Sequence, residues 1–261
     1  YLNPYLNDSN PTNISQCNSH LDSEKSHSFN LSYSNFTQKF NINLSARYSF
    51  TNNSIEQVTE QVKDTEIEGL QNPTGKEVLY STYQNIGKSR NASLSGYVNW
   101  NATSNTRIYA NLYGNYTYME GANGLKNDGW NLFAYGGAQQ SLPHDWRISL
   151  NIYGQTPWIM LQGKGSSFFD YGLSVNKSFL NKRLTLSAFA SNFFKKYTSP
   201  TSSIEGVGFT QDSWNRYTRQ RFGVSVSYRI GELKASVKKA ARTISNDDVK
   251  GGGGEGGGGG E

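Results

Sequence analysis

The sequence predicts an all-β, antiparallel transmembrane β-barrel wall of about nine long strands, and three observations predict it. Apolar residues alternate with polar ones from end to end, which on a strand means one apolar face and one polar face. The alternating runs reach about ten residues, longer than the usual five or six of soluble strands and suited to a tilted membrane crossing. Connections alternate in strict order between short and long, as in membrane barrels with tight periplasmic turns and long external loops.

The elements follow in order. Phe29, Leu31 and Tyr33 alternate with Ser28, Asn30, Ser32 and Ser34; Phe40, Ile42, Leu44, Ala46, Tyr48 and Phe50 then hold one parity. Leu94, Val98 and Trp100 form the next face, followed by Ile108, Ala110, Leu112, Tyr116 and Tyr118. Segment 130–140 is less tidy, with Leu132 and Ala134 facing one way and Phe133 and Tyr135 the other. Trp146, Ile148, Leu150 and Ile152 resume the alternation, as do Phe169, Tyr171, Leu173 and Val175, then Leu184, Leu186, Ala188 and Ala190. Phe222, Val224, Val226, Tyr228 and Ile230 close the series, opposite Gly223, Ser225, Ser227 and Arg229. Short connections fall at 37–39, 101–106, 141–145 and 181–183, and longer ones near 60–76, 119–129, 157–167 and 195–209. This order points the last strand downward and leaves the C-terminus in the periplasm. Trp100 and Trp146 stand beside short turns, and Trp130 and Trp158 beside long loops, as interface aromatics at the two headgroup layers would.

Composition agrees. The chain has 261 residues, of which 35% are hydrophobic and 17% charged, and its mean hydropathy is negative. A barrel hides its apolar half in alternate positions, so low average hydropathy does not exclude a membrane. No run approaches the roughly 18–20 apolar residues of a spanning helix. The net charge of +5 comes without a basic block interleaved with aromatics, which argues against nucleic acid as a partner. Cys17 stands alone, so an internal disulfide and a zinc cluster are both excluded. His20, His27 and His144 lack metal-ligand spacing, and no G-x-S-x-G marks a nucleophile, so neither enzyme nor cofactor is expected. "GANG" and "GKGSS" read as loop tips, not phosphate loops. The Asn-x-Ser/Thr triplets at Asn30, Asn43, Asn91, Asn101, Asn115 and Asn176 lie largely within strands, where no glycan fits.

Residues 1–233 therefore read as barrel and 234–261 as a Gly-rich periplasmic tail whose backbone entropy forbids packing. The external loops around Tyr118, Asn123, Trp130, Tyr197 and Trp214 mix aromatics, Asn and acids, a vocabulary for polar ligands such as sugars or chelates.

The phrases "NPYLNDSNPTNISQCNSHLDSEKSHSFNLSYSNF", "YQNIGKSRNASLSGYVNW", "NLYGNYTY" and "ARTISNDDVKGGGG" resemble the TonB-dependent receptor-like outer-membrane proteins of Bacteroidetes. Ser23 stands where that family usually carries Pro. The resemblance implies a larger barrel enclosing a plug, import of a nutrient, and energy supplied by an inner-membrane TonB complex. On that reading the chain is the C-terminal part of the barrel, and the plug and remaining strands precede it. Arg221, Gly223, Val226 and Tyr228 also match the terminal-strand signal read by the barrel-assembly machinery, although about thirty residues follow here. Two other readings remain open: a small self-contained barrel acting as an adhesin or structural surface protein, and a secreted carbohydrate-binding β-sandwich.

Overall fold

The computed structural model describes residues 5–121 and 124–231. Its strands are β1 (Leu6–Asn10), β2 (Asn13–Gln16), β3 (Lys25–Phe36), β4 (Phe40–Lys63), β5 (Glu77–Asn101) and β6 (Thr106–Gly121). They continue with β7 (Lys126–Leu142), β8 (Trp146–Gln155), β9 (Ile159–Met160), β10 (Gly163–Lys164), β11 (Phe168–Phe179) and β12 (Leu184–Ser191). The last are β13 (Tyr197–Thr198), β14 (Thr201–Gly206), β15 (Phe209–Trp214), β16 (Tyr217–Thr218) and β17 (Arg221–Tyr228). A single 3-10 turn, Asp64–Glu66, is the only helical piece among the described residues.

Nine long strands form one antiparallel wall in the order β3-β4-β5-β6-β7-β8-β11-β12-β17. One register row reads Phe40, Trp100, Ile108, Ala138, Leu150, Leu173, Ala190, Phe222. Its neighbour reads Asn41, Asn99, Tyr109, Gly137, Asn151, Gly172, Ser191, Arg221. The alternation predicted strand by strand is thus aligned across the whole wall, and the untidy segment obeys it: Leu132 and Ala134 join the apolar face, Phe133 and Tyr135 the polar one. The apolar face is uncovered, with Leu94 63%, Leu112 59% and Phe169 65% exposed. A continuous bare surface of this kind marks contact with an apolar medium. On β6 it runs from Ile108 to Tyr118 before Glu120 ends it. Ten residues at about 3.3 Å, tilted by about 40°, give a band about 25 Å tall, the height of a barrel's lipid-facing belt.

The wall is open. Neither β3 beyond β4 nor β17 beyond β12 has a partner among the described residues. Because nine strands alternate in direction, β3 and β17 both run from the long-loop end to the short-turn end. Joining them directly would make a parallel seam in an otherwise antiparallel wall.

The short-turn end matches expectation, with connections at 37–39, 102–105, 143–145 and 180–183. His144 and Asp145 take positive φ (61° and 59°) in one such turn, and Lys177 reaches from the apolar face to donate to the His144 carbonyl. The loop end departs from expectation. Segment 119–129 is mostly strand, since β6 runs to Gly121 and β7 starts at Lys126. β4 and β5 continue past a bulge at Asn53 (φ 56°) into a long hairpin above the belt. A bulge at such a height is a common rim device, because it re-aims a strand where the medium changes.

Above that rim the loops pack on each other. β2 adds in parallel to β5, and β15-β14-β10-β9 form a second sheet. Ile14, Ile67 and Val78 bury one another, as do Val58 and Leu161. With Ile159 these are the six large apolar side chains buried among the described residues, and all lie at the loop end. Each such burial contributes about 1.5–3 kcal/mol, enough together to hold the loops as a body. The buried Gln162 side chain ties this body down: Thr59 N donates to Gln162 Oε1 (2.7 Å), and Gln162 Nε2 donates to the Thr59 carbonyl (2.8 Å). Asn127 Nδ2 donates to the Met160 and Gly163 carbonyls (2.7 and 2.9 Å).

Candidate ligand pocket on the polar wall

The polar face carries more than the small residues its sequence emphasised. Tyr109, Tyr135, Tyr153 and Phe168, on four successive strands, form a track of rings with centroids 5.8, 6.3 and 4.8 Å apart. Glycine makes room for it. At Gly137 a Cβ would lie 2.3 Å from the Leu150 carbonyl and 2.7 Å from Tyr109 Oη, so the Tyr109 ring lies over bare backbone and donates to Asn151. Gly223 does the same under Phe189, where a Cβ would fall 2.4 Å from the ring. This gives Gly223 a packing role on the polar face, with Arg221 on the same face and Val226 and Tyr228 on the apolar one.

The track ends at a cavity of about 570 Å³ near the loop end, bounded by Asn151, Tyr153, Asp170, Ser191, Arg219 and Arg221. Strands β8, β11, β12 and β17 supply five of these from their alternate positions, while Arg219 comes from the long segment 192–220. Asp170 holds that segment in place. One carboxylate oxygen pairs with Arg219, and the other accepts from Asn192 Nδ2 (2.7 Å). Asn192 is itself buried with φ 48°, and its Oδ1 accepts from Tyr171 N (3.1 Å). Arg219 stacks on Phe168 (5.7 Å) and Tyr217 (5.0 Å) and donates to Tyr217 Oη (2.9 Å). Its fork is therefore consumed in shaping the wall, while Arg221 presents its guanidinium with no partner among the described residues. Tyrosine faces, amide groups and one available guanidinium suit a polar ligand with flat apolar surfaces.

A larger, almost wholly apolar groove on the other face, between Leu31, Leu44, Leu94, Leu112 and Leu132, belongs to the belt. No group of three or more His, Cys, Asp or Glu among the described residues could hold a metal ion.

The sequence-selected ligand residues do not gather here. Tyr118 and Trp130 lie on the outward face, Trp130 against Tyr116 at 5.5 Å. Asn123 lies outside the described residues. Trp214 is on β15, away from the cavity, and Tyr197 pairs with Thr218 at the neck of the 192–220 segment. Among the interface aromatics, Trp100 and Trp146 sit on the apolar face at the short-turn end, and Trp130 at the loop end. Trp158 instead belongs to the loop body, its ring packed over Gly165. The residues that do form the cavity carried one available signal: Asp170 is an acid on a face whose other strand charges include the arginines Arg47, Arg107, Arg147 and Arg221.

An aligned apolar belt, a polar inner wall, short turns at one end and packed loops at the other define a membrane barrel. The chain belongs to the outer membrane protein beta-barrel family, whose model matches residues 1–228, and its place is the outer membrane. No curated protein and no solved structure matches this chain.

Proposed function

We propose that this chain forms the C-terminal barrel region of a TonB-dependent receptor-like importer, with its cargo bound first on the polar wall beneath the loop body. The observation that carries this reading is the Asp170–Arg219 cavity, which strand and loop residues build together where cargo from outside would enter. The aromatic track leading from it along the wall supports passage of a ligand with apolar ring faces. The two edge strands running the same way support completion by further strands, because lipid tolerates no unpaired backbone and bacterial barrels close with even numbers. On this reading the short-turn end, where β17 finishes, is periplasmic. The Arg221, Gly223, Val226, Tyr228 set meets the assembly machinery there, and the TonB complex acts through a plug carried elsewhere in the protein.

The test is growth of a strain lacking the protein on a panel of oligosaccharides and metal chelates, with wild-type, Tyr153→Ala or Asn151→Ala complementation. Expected is a defect on one nutrient that loss of the TonB complex reproduces and neither variant rescues, at unchanged outer-membrane levels. Normal growth across the panel, or a defect indifferent to TonB, overturns the reading in favour of a surface or adhesive role.

A further inference from the structure

Just after β12 the chain reads Phe193-Phe194-Lys195-Lys196, and these residues occupy the outward side of the loop end. Phe193 meets Tyr171 edge-on at 5.1 Å, Phe194 lies 5.9 Å from the same ring, and the two phenylalanines are 4.5 Å apart. Phe194 N donates to Tyr171 Oη (2.9 Å). Tyr171 belongs to the apolar belt, opposite Ile152 and between Phe169 and Leu173. The cluster therefore faces the medium that the belt faces, and Phe194 is 86% exposed to it. Aromatic rings at this height sit at the boundary of hydrocarbon and headgroups.

Two cations share one ring, that of Tyr197, three residues on from Phe194. Lys196 Nζ lies 5.3 Å and Arg216 Cζ 4.4 Å from the centroid of one ring, Tyr197. Both are within cation–π reach, yet sharing a ring brings like charges together. No carboxylate among the described residues pairs with either, whereas Lys126 and Arg219 each have an acidic partner. A shared anion relieves that repulsion. A guanidinium fork and an ammonium on one ring suit phosphate, the one offering paired donors and the other a compact charge.

We infer that Phe193, Phe194, Lys196 and Arg216 form a docking site for a phosphorylated lipid of the outer leaflet, the rings against its acyl boundary and the cations on its phosphate. A soluble anion would use the cations but have no need of two exposed phenylalanines. The site is independent of the importer reading, needing only the membrane placement.

The test uses the whole protein extracted from outer membranes in a neutral detergent, with lipid binding read by native mass spectrometry. The probes are bis-phosphorylated lipid A, the same lipid with its phosphates removed, and inorganic phosphate as competitor. Expected is binding of the phosphorylated lipid that weakens about tenfold or more in Lys196→Gln/Arg216→Gln and also in Phe194→Ser. Heat-modifiable gel mobility confirms that each variant remains folded. Equal binding of the dephosphorylated lipid, or unchanged binding by the double variant, overturns the site. Competition by inorganic phosphate at concentrations equal to the lipid overturns its assignment to a lipid.

Discussion

Leu112→Arg is the sharpest test of which face meets lipid. Leu112 lies on β6 between Gly96 and Ala134, with Ile108 and Ala110 toward the short turns and Gly114, Tyr116 and Tyr118 toward the loops. Four residues separate it from the lower edge of the belt and six from the upper. At about 3.3 Å per residue and about 40° of tilt, that places it about 10 Å above the lower boundary and near the midplane. Arginine at that depth costs about 2–4 kcal/mol, and less only where snorkelling reaches an interface. In water the same exposed position would change stability by no more than about 0.5 kcal/mol. Asn111→Arg is the internal control, one residue away and on the polar wall between Tyr97 and Tyr135. The assay is reversible denaturant folding of the whole protein into vesicles, comparing midpoints at constant slope. Leu112→Arg is expected to lose the full amount and Asn111→Arg less than half of it. Equal losses, or a Leu112→Arg midpoint indistinguishable from wild type, would refute the assignment of faces.

Three further outcomes are expected. Gln162→Ala removes both partners of the Thr59 backbone, an unsatisfied burial of about 2–4 kcal/mol, so proteolysis within 156–167 should accelerate while the barrel's unfolding midpoint stays fixed. Gly137→Ala should lower stability by about 1–3 kcal/mol, because the new methyl meets the Leu150 carbonyl and displaces the Tyr109 ring; an unchanged unfolding midpoint would mean the ring does not lie there. Asp64, in the loop-end 64–76 segment, accepts from the Thr74 hydroxyl, then from Thr74 N and Gly75 N, and these bonds hold its carboxyl below the usual aspartate range. A depressed carboxyl stabilises above its unfolded pKa, so the segment should resist acid-active protease until pH falls below the ordinary aspartate value. Asp64→Ala should be cut at neutral pH as well, by a neutral protease that spares the wild type, and equal resistance in both proteins would remove Asp64 from this role.

The belt was legible because it depends on local alternation, which every strand repeats: Phe40 to Phe50 shows it alone. Register was not, yet it follows once each apolar face must meet the next. What alternation hid was the upper half of β4 and β5. Glu60 and Gln61 read as loop because above the rim neither face needs to be apolar. The loop body was out of reach for a different reason. Val58 meets Leu161 only after about 100 residues of chain have been folded between them, and Ile14 meets Ile67 and Val78 across more than 50, and no local pattern marks such partners. Asn192 and Asp170 were missed likewise, since a strand-end Asn and a lone acid gain meaning only when Arg219 returns from 27 residues later.

The placement above the rim of every large buried apolar side chain among the described residues has a consequence for recognition. A wall facing lipid needs no sequestered interior, so in this molecule the parts that behave like a water-soluble protein are its loops. On the proposed importer reading, a cargo reaching this end meets a surface whose ordering cost was met during folding, and capture need not spend binding energy on immobilising loose chain. Variation there is correspondingly constrained. A change in segment 156–167 must still seat Leu161 and Gln162 against β4, so new specificity would come more readily from the exposed rims of β14 and β15 than from altering loop length at random.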